Sequence, residues 1–398
     1  MTDLSLAAEF PALTQGDWMK RVEAVLKGAS FEEKLVTRSA DGFAVQPLYG
    51  QVAGHRAARP HQTPWTLFQR VDHPDAAKAN EQALDDLANG ATGLVLVSKD
   101  SPTARGFGFD SEKLARVLQG VHLHAVALKI EGGASMALAE LISTQPIDPE
   151  RLHVSFALAN AADAGELARL GYTGPYMEAD GRSWHDAGAT EAQELGATLA
   201  GAVARLRTLD TLNDIHLVRA VGVTLAASQD MFATLAKFRA MRLLWRRMLE
   251  AAGLPKAPLR LHAETSWRMM ATLDPHTNIL RATAAVFGAG LGGADSITVL
   301  PFSIAQGLPN AFARRVARNV QTVLAEEANL WRVADSASGA GYIETCTQQL
   351  CDAAWAVFQT AEAGQWPQPD PASALNKPVI GTSGYRLPTE HAPETETL

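Results

Sequence analysis

Three stretches of the chain set polar, potentially reactive side chains at the ends of apolar runs. The first is Pro258–Phe302, PLRLHAETSWRMMATLDPHTNILRATAAVFGAGLGGADSITVLPF. Leu259 to His262 reads as a short strand, and His262 and Glu264 alternate along its end. Alternate residues of an extended chain share a face, so this pair can act as acid, base or hydrogen-bond donor to a bound carbonyl. The same spacing equally suits a polar cap on a filled core. Thr265 and Ser266 complete that edge. The second stretch, Asp180-Gly181-Arg182-Ser183-Trp184-His185-Asp186-Ala187-Gly188, is a Gly-flanked polar loop after another strand-like run. Arg182 there suits a carboxylate or phosphate. His185 and Asp186 have the types of a base and its orienter, but sequence neighbours seldom face each other. The third is Phe68-Gln69-Arg70-Val71-Asp72-His73, read as lying before the first strand. Arg70 suits an anion, or a surface pair with Asp72.

These residues need a scaffold, and the chain's periodicity supplies one from Trp65 onward. Strand-like runs are expected at Gly93–Val97, Ala125–Ile130, His153–Ala157, Tyr176–Ala179, Leu217–Val221, Leu259–His262, Ser296–Leu300 and Trp331–Ala334, alternating with helical segments. About eight strands alternating with eight helices fit an α/β fold, a closed (β/α)8 TIM barrel, whose ligand sites lie where strands hand over to loops. An open doubly wound sheet is the competitor; units of similar length favour closure. Asp274 is expected to N-cap the helix that Pro275 opens. Residues 1–60 read as an N-terminal arm, with an amphipathic helix from Trp18 to Leu26 and a hairpin within Leu35–Leu48 turning at Asp41-Gly42. Pro60 to Pro64 reads as a linker, residues 61–365 as the barrel and 366–398 as a Pro-rich tail. Asn376–Tyr385 is expected to dock on the core, and the chain from Pro388 to be disordered.

Composition narrows the function. At 398 residues and 47% hydrophobic, the chain can bury a large core. Its net charge of −8 with no basic cluster argues against a nucleic-acid partner. No apolar run reaches membrane-spanning length, and MTDLSLAAEF lacks a basic segment leading into an apolar one, so no signal peptide is expected. Two cysteines, Cys346 and Cys351, suit a reducing cytoplasm. Gly288-Ala-Gly290-Leu-Gly292-Gly293 contains GxGxxG, but it follows a helix and precedes a strand, so it reads as a helix end and not a dinucleotide loop. HExxH, CxxC, Walker and GxSxG patterns are missing, which disfavours metal hydrolases, P-loop enzymes and serine hydrolases.

Several segments, in order, resemble the methylmalonyl-CoA mutase family. They are FEEKLVTRSADGFAVQPLYG, PWTLFQRVDHPDAAKANEQALDDLANGATGLVL, DAGATEAQELGATLA, AKFRAMRLLWRRML, LRLHAETS, DPHTNILRAT and GYIETCTQQLCDAAW. The resemblance implies a β/α barrel threaded by the pantetheine arm of coenzyme A. It also implies a partner flavodoxin-like domain presenting adenosylcobalamin, which supplies the radical chemistry. At the positions matching the family's substrate contacts, this chain departs from the catalytic pattern. Arg70 of Phe68-Gln69-Arg70 stands for the tyrosine of R-Q-Y. Arg182-Ser183 stand for the Tyr-His of S-G-Y-H. Trp267 replaces a glycine after His262-Ala-Glu264-Thr265-Ser266, and Ser296-Ile-Thr298 lacks the family's histidine. One missing carbonyl donor of this kind costs roughly 3 kcal/mol of barrier. Asp274-Pro-His276 is half of the corrinoid DxHxxG pattern, with Ile279 at the glycine, so cobalt ligation is not expected.

The pattern resembles the small, non-catalytic subunit of a heterodimeric mutase. The expectation is thus a barrel without a flavodoxin-like cobalamin domain, with no catalytic or metal-ligating residues of its own. Degenerate substrate-binding positions would remain at Gln69, Arg70, Arg182, Ser183, His262, Glu264 and Thr265. Adenosylcobalamin would belong to the complex and not to this chain, and a catalytic large subunit would be the partner, with an acyl-CoA as possible ligand. The alternatives are a split catalytic barrel using a separate cobalamin-binding subunit, and a CoA-ester binding module.

Overall fold

Eight short runs form parallel strands in the computed structural model, which describes residues 13–57, 59–60, 63–372 and 378–396. They are β1 (Thr66–Val71), β2 (Gly93–Val97), β3 (Ala127–Glu131), β4 (Val154–Ser155), β5 (Met177–Asp180), β6 (Val221–Ala227), β7 (Leu261–Thr265) and β8 (Ser296–Thr298). Consecutive strands pair from β1 to β4 and from β5 to β8, and β8 pairs in parallel with β1. The remaining seam is bridged by backbone bonds from Phe156 N to the Pro175 carbonyl, 2.9 Å, and from Leu158 N to the Tyr176 carbonyl, 3.0 Å. The sheet therefore closes on itself as a (β/α)8 TIM barrel, and the open-sheet alternative falls away. Helices Ala76–Ala88, Glu191–Thr208, Met231–Ala251, Thr277–Gly292, Ala311–Thr322 and Gly341–Glu362 cover the outside along with shorter ones. Their starts are chemically marked: Asp75, Thr190, Asp230 and Asn310 each accept a first-turn N–H, and Gln193 completes a capping box with Thr190.

The chain divides into two compact units, residues 1–50 and 51–398. In the first, Thr14 and Asp17 form a capping box for the helix Gln15–Leu26, and Trp18 meets Phe31 edge-on at 6.2 Å. Thr37–Arg38 pairs antiparallel with Ala44–Val45, the hairpin read from Asp41-Gly42.

Five expectations are corrected in the second unit. Phe68–Val71 belongs to β1 and does not precede it, whereas Trp331–Ala334 is not a strand. That run lies between Asn329 and Asp335, both at a left-handed φ of 53°, and Val333 is exposed. The strand count stays at eight with one exchanged at each end. Leu217 ends a short helix capped by Asn213, Val218–Ala220 form a turn, and the strand begins at Val221. Asp274 is not an N-cap. It adopts a left-handed φ of 45°, its carboxylate accepts the Thr277 hydroxyl, and the helix starts at Thr277. Residues 389–396 are held in place: Glu390 accepts the Asp274 N–H at 2.9 Å, Thr395 bridges to Pro309, and Glu396 reaches Gln82 at 2.9 Å and His73 at 3.2 Å. Ile380 docks through its carbonyl on Arg281, while residues 373–377, and with them the start of the Asn376 segment, lie outside the described residues, as do 61 and 62 of the linker.

The GxGxxG glycines end a helix as expected, and they also let two helices meet. A Cβ on Gly288 would sit 2.7 Å from the Met231 carbonyl, and one on Gly292 would sit 2.8 Å from that of Leu235. Among the described residues no helix is long and apolar enough to cross a membrane.

Glycines at such helix crossings and glycines facing open space should respond oppositely to a methyl group. A Cβ on Gly196 would lie 2.6 Å from the Ala354 carbonyl of the facing helix, so Gly196→Ala should destabilise by about 1–3 kcal/mol. Gly165 is helical with nothing within 4 Å of the new atom, so Gly165→Ala should stabilise by up to about 1 kcal/mol. Urea unfolding of the two variants, compared with the parent chain, checks both signs.

Candidate functional site

Strand alternation turns every second side chain toward the barrel axis, and in this chain many of those are charged. Arg182 lies just beyond β5. Its guanidinium pairs with Asp180 through Nε at 2.9 Å and Nη2 at 2.6 Å, with Glu264 of β7 at 2.9 Å and with Glu131 of β3 at 2.8 Å. Arg70 of β1 donates to Asp72 at 2.6 Å and lies 3.7 Å from Glu131 and 3.8 Å from Glu264. It also bonds the Thr103 carbonyl, and the Thr103 hydroxyl bonds Glu131. Four non-adjacent strands thus meet in one buried ionic lattice. Burial opposes charge on both arginines, but the surrounding carboxylates outweigh it and raise them above the ordinary guanidinium range. Burial raises Glu131 and is overcome by Arg182, Arg70 and Lys129, which leave its carboxyl well below the usual range.

Nearer the strand starts, Lys129 of β3 pairs with Glu178 of β5 at 3.0 Å, and the Thr224 hydroxyl of β6 also bonds Glu178. His262 sits among Phe68, edge-on at 5.6 Å, Ser296 at 2.8 Å and Thr298 at 3.3 Å. Burial, then Lys129 and Arg182, hold its pKa well below the usual imidazole value, so the ring is neutral and can donate or accept one hydrogen bond.

The expected site residues therefore separate. Arg70, Arg182 and Glu264 come together, and His262 lies below them. Gln69 faces the helices, where it donates to Asp86 and to the Arg314 carbonyl, both at 3.2 Å. Thr265 also faces outward and accepts the Leu300 N–H at 2.8 Å. Ser183 is exposed and lines a cleft off the axis. The Arg70–Asp72 pair exists, but it is buried and not on the surface. His185 and Asp186 diverge as expected. His185 contacts Ser266 at 2.7 Å and Glu194 at 3.4 Å, while Asp186 lies 3.8 Å from Arg105.

Sequence reading missed Glu131, Lys129 and Glu178. The signal was present: in ALKIE and MEAD, charged residues recur with a period of two inside otherwise apolar strands. Arg105 reaches the lattice from a loop after β2, at 3.4 Å from Glu264, and no periodicity marks it.

Two cavities approach the lattice from opposite ends. One of about 600 Å³ opens among residues that precede the strands, including Arg59, Arg219 and Arg260, and reaches up to Lys129, Glu178 and His262. The other, about 430 Å³, opens at the strands' C-terminal side and reaches down to Glu131, Arg182, Lys129 and Glu178. The residues lining both are Lys129 and Glu178, so an ion pair partitions the axis.

A trio with metal-ligand character, His185, Glu191 and Glu194, gathers behind β6 and β7. It does not fit an ion. The buried Lys237 ammonium sits 2.5 Å from Glu191 and 2.7 Å from Glu194, where a cation would go. Burial raises the Glu194 carboxyl, but Lys237 and then His185 overcome it and hold it at about 2.

A closed barrel with a cavity at each mouth and a polar interior defines a β/α-barrel protein, a fold whose sites lie at the C-terminal ends of its strands. Comparison makes this specific. The methylmalonyl-CoA mutase family model matches residues 176–364. The chain is 37% identical to the methylmalonyl-CoA mutase small subunit of Streptomyces virginiae, over 99% of this chain and 74% of that one. It is 32% identical to the small subunit of Propionibacterium freudenreichii subsp. shermanii, over 91% of this chain and 64% of that one. It is 27% identical to the methylmalonyl-CoA mutase of Rhizobium meliloti, over 87% and 58%. The chain belongs to the methylmalonyl-CoA mutase family.

The Glu194–Lys237 pair gives a pH signature. A carboxyl held at about 2 in the folded chain and near 4.5 when unfolded stabilises the fold above pH 4.5, and that contribution is lost as pH falls toward 2. Stability should decline steadily through this window. Glu194→Gln should cost about 3–5 kcal/mol at pH 7, because Lys237 stays buried with half its partners, and should flatten the acid slope. Denaturant midpoints by circular dichroism between pH 7 and pH 3 check both; an unchanged slope would contradict the assignment.

Proposed function

We propose that this chain is the non-catalytic barrel of an adenosylcobalamin-dependent methylmalonyl-CoA mutase, serving a catalytic large subunit as its stabilising small subunit in a heterodimer. The names borne by its relatives support a subunit role. The observation that carries the reading is the pairing of Arg182 with Asp180, Glu131 and Glu264. It fills the axis at the level where catalytic members resemble one another in offering a tyrosine and a histidine to substrate. An acyl-CoA thioester there would have to displace a multiply paired guanidinium, and the arginine itself is no acid or base at neutral pH.

The residues at this mouth do not fit a corrin partner. Arg70 and Arg182 are tied into the lattice, and Arg105 lies over the Trp267 ring at 4.3 Å. His276, of the partial DxHxxG pattern, packs against Phe302 at 5.0 Å and is followed by Ile279. No step of the rearrangement is therefore assigned to this chain. Adenosylcobalamin and the isomerisation of methylmalonyl-CoA to succinyl-CoA fall to the partner.

A second reading, a barrel that binds a CoA ester without chemistry, draws support from the 600 Å³ cavity with three arginines at its mouth. One pair of experiments separates the readings. In an assay of methylmalonyl-CoA isomerisation with adenosylcobalamin, the chain alone should show no turnover. It should co-elute with the large subunit and raise that subunit's melting temperature. Turnover by the chain alone sinks the proposal. In calorimetry without the partner, saturable binding of a CoA ester would favour the second reading, and a flat titration the first.

A further inference from the structure

Beside β5, at the C-terminal mouth of the barrel, lies a third cleft of about 400 Å³, within the size range of small-molecule sites. Ala179 lines it. It alternates with the axis-facing Glu178 and Asp180, so the cleft lies on the outer side of the strand, against the helix Glu191–Thr208. On that helix Ala197 and Gly201 present almost no side chain. Trp184 and Trp366 supply an aromatic wall; their rings are nearly parallel, 8° apart with centroids at 5.7 Å. Trp366 keeps 42% of its surface exposed, leaving part of the indole for a third flat ring.

Three guanidinium groups line the same cleft, and two of them, Arg105 and Arg205, are not well paired. Arg105 has a buried Nε with no hydrogen-bond partner. Its nearest carboxylates, Glu264 at 3.4 Å and Asp186 at 3.8 Å, lie beyond the roughly 2.7–2.9 Å of a charge-assisted bond. The backbone at Arg105 is also left-handed, φ 54°, a conformation that costs a non-glycine residue energy and that clusters at binding sites. Arg205 donates to the Gly201 carbonyl at 2.9 Å, and among the described residues no ion pair engages it. Arg182, which lines the cleft too, has full carboxylate pairing by contrast. A buried cation left short of acceptors is an arrangement that an incoming anion relieves. Asp180 and Asp186 line the cleft as well, so a dianion such as a phosphate monoester is repelled more strongly than a single negative charge.

We propose that this cleft binds a small monocarboxylate with a flat apolar body, its carboxylate at Arg105 and Arg205 and its ring against the Trp184–Trp366 pair. The cleft shares Asp180, Arg182 and Arg205 with the axial cavity at this mouth, and its binding is separate from the subunit role proposed above. Benzoate serves as the probe, with benzyl alcohol as its neutral analogue and phenyl phosphate as the dianion. Titrated into the 398-residue chain and followed by tryptophan fluorescence and by ligand-observed NMR, benzoate should bind saturably with a dissociation constant of roughly 1–10 mM. Benzyl alcohol and phenyl phosphate should each bind at least about tenfold more weakly. Arg205→Met and Trp366→Ala should each weaken benzoate at least about tenfold with the melting temperature unchanged, and Arg105→Met should weaken it at least as much. Should Arg105→Met unfold, the more accessible Arg205→Met decides. Benzoate failing to saturate by about 50 mM, benzyl alcohol matching it, or binding that survives both Arg205→Met and Trp366→Ala overturns the proposal.

Discussion

The guanidinium of Arg182 is held by carboxylates from three different strand ends, Glu131, Asp180 and Glu264, and much of the barrel follows from that arrangement. Charges withdrawn from water are costly unless their partners are complete and well placed. Here the partners come from β3, β5 and β7, so the lattice is satisfied only when the sheet is closed and those strands are in register. Barrel interiors of this architecture are usually filled with branched apolar side chains. This one places Val95 and Val97 beside an ionic core, so hydrophobic packing is carried by the layer between sheet and helices. Removing one member leaves the others buried and unpaired, a heavier loss than the net worth of any one pair.

The fold was legible because closure writes itself into the chain as repetition. Strands such as Gly93–Val97 are short apolar runs flanked by turn residues, and helices such as Glu191–Thr208 begin at Thr190 with a capping box that sequence shows directly. The misreadings fell where local preference and tertiary position disagree. Trp331–Ala334 has strand-like composition but lies between two left-handed residues. Thr66–Val71 carries polar Gln69 and Arg70, which disguised a central strand as a surface segment. Asp274-Pro275 has the composition of a helix start, yet Asp274 turns left-handed and uses its carboxylate one turn ahead, on Thr277.

The site was legible by halves. Period-two alternation put His262 and Glu264 on one face, and both do face the axis. Applied to β1, the same rule would have set Gln69 apart from Arg70; reading that stretch as a lead-in removed the face assignment that sends Gln69 to Asp86. Which cation meets which anion was out of reach, because those contacts span the barrel's diameter and join residues far apart in the chain, Arg70 with Glu264 among them. Arg105 illustrates the limit most clearly. Its position depends on a loop conformation, and composition says nothing about a left-handed φ.

A barrel whose axis is threaded by ligand draws part of its stability from that ligand, by an amount that grows with ligand concentration. A barrel bridged across its axis by its own ion pairs depends less on such a term. In this chain Arg70, Glu131, Arg182 and Glu264 occupy the upper axis, and Lys129 with Glu178 closes it below, so the strands are cross-linked whether or not any small molecule is present. That independence suits the supporting subunit role proposed above. The cross-links that take the axis away from a substrate are the same ones that make the barrel rigid without it. On the subunit role proposed above, loss of chemistry and gain of support are one structural change and need not be two.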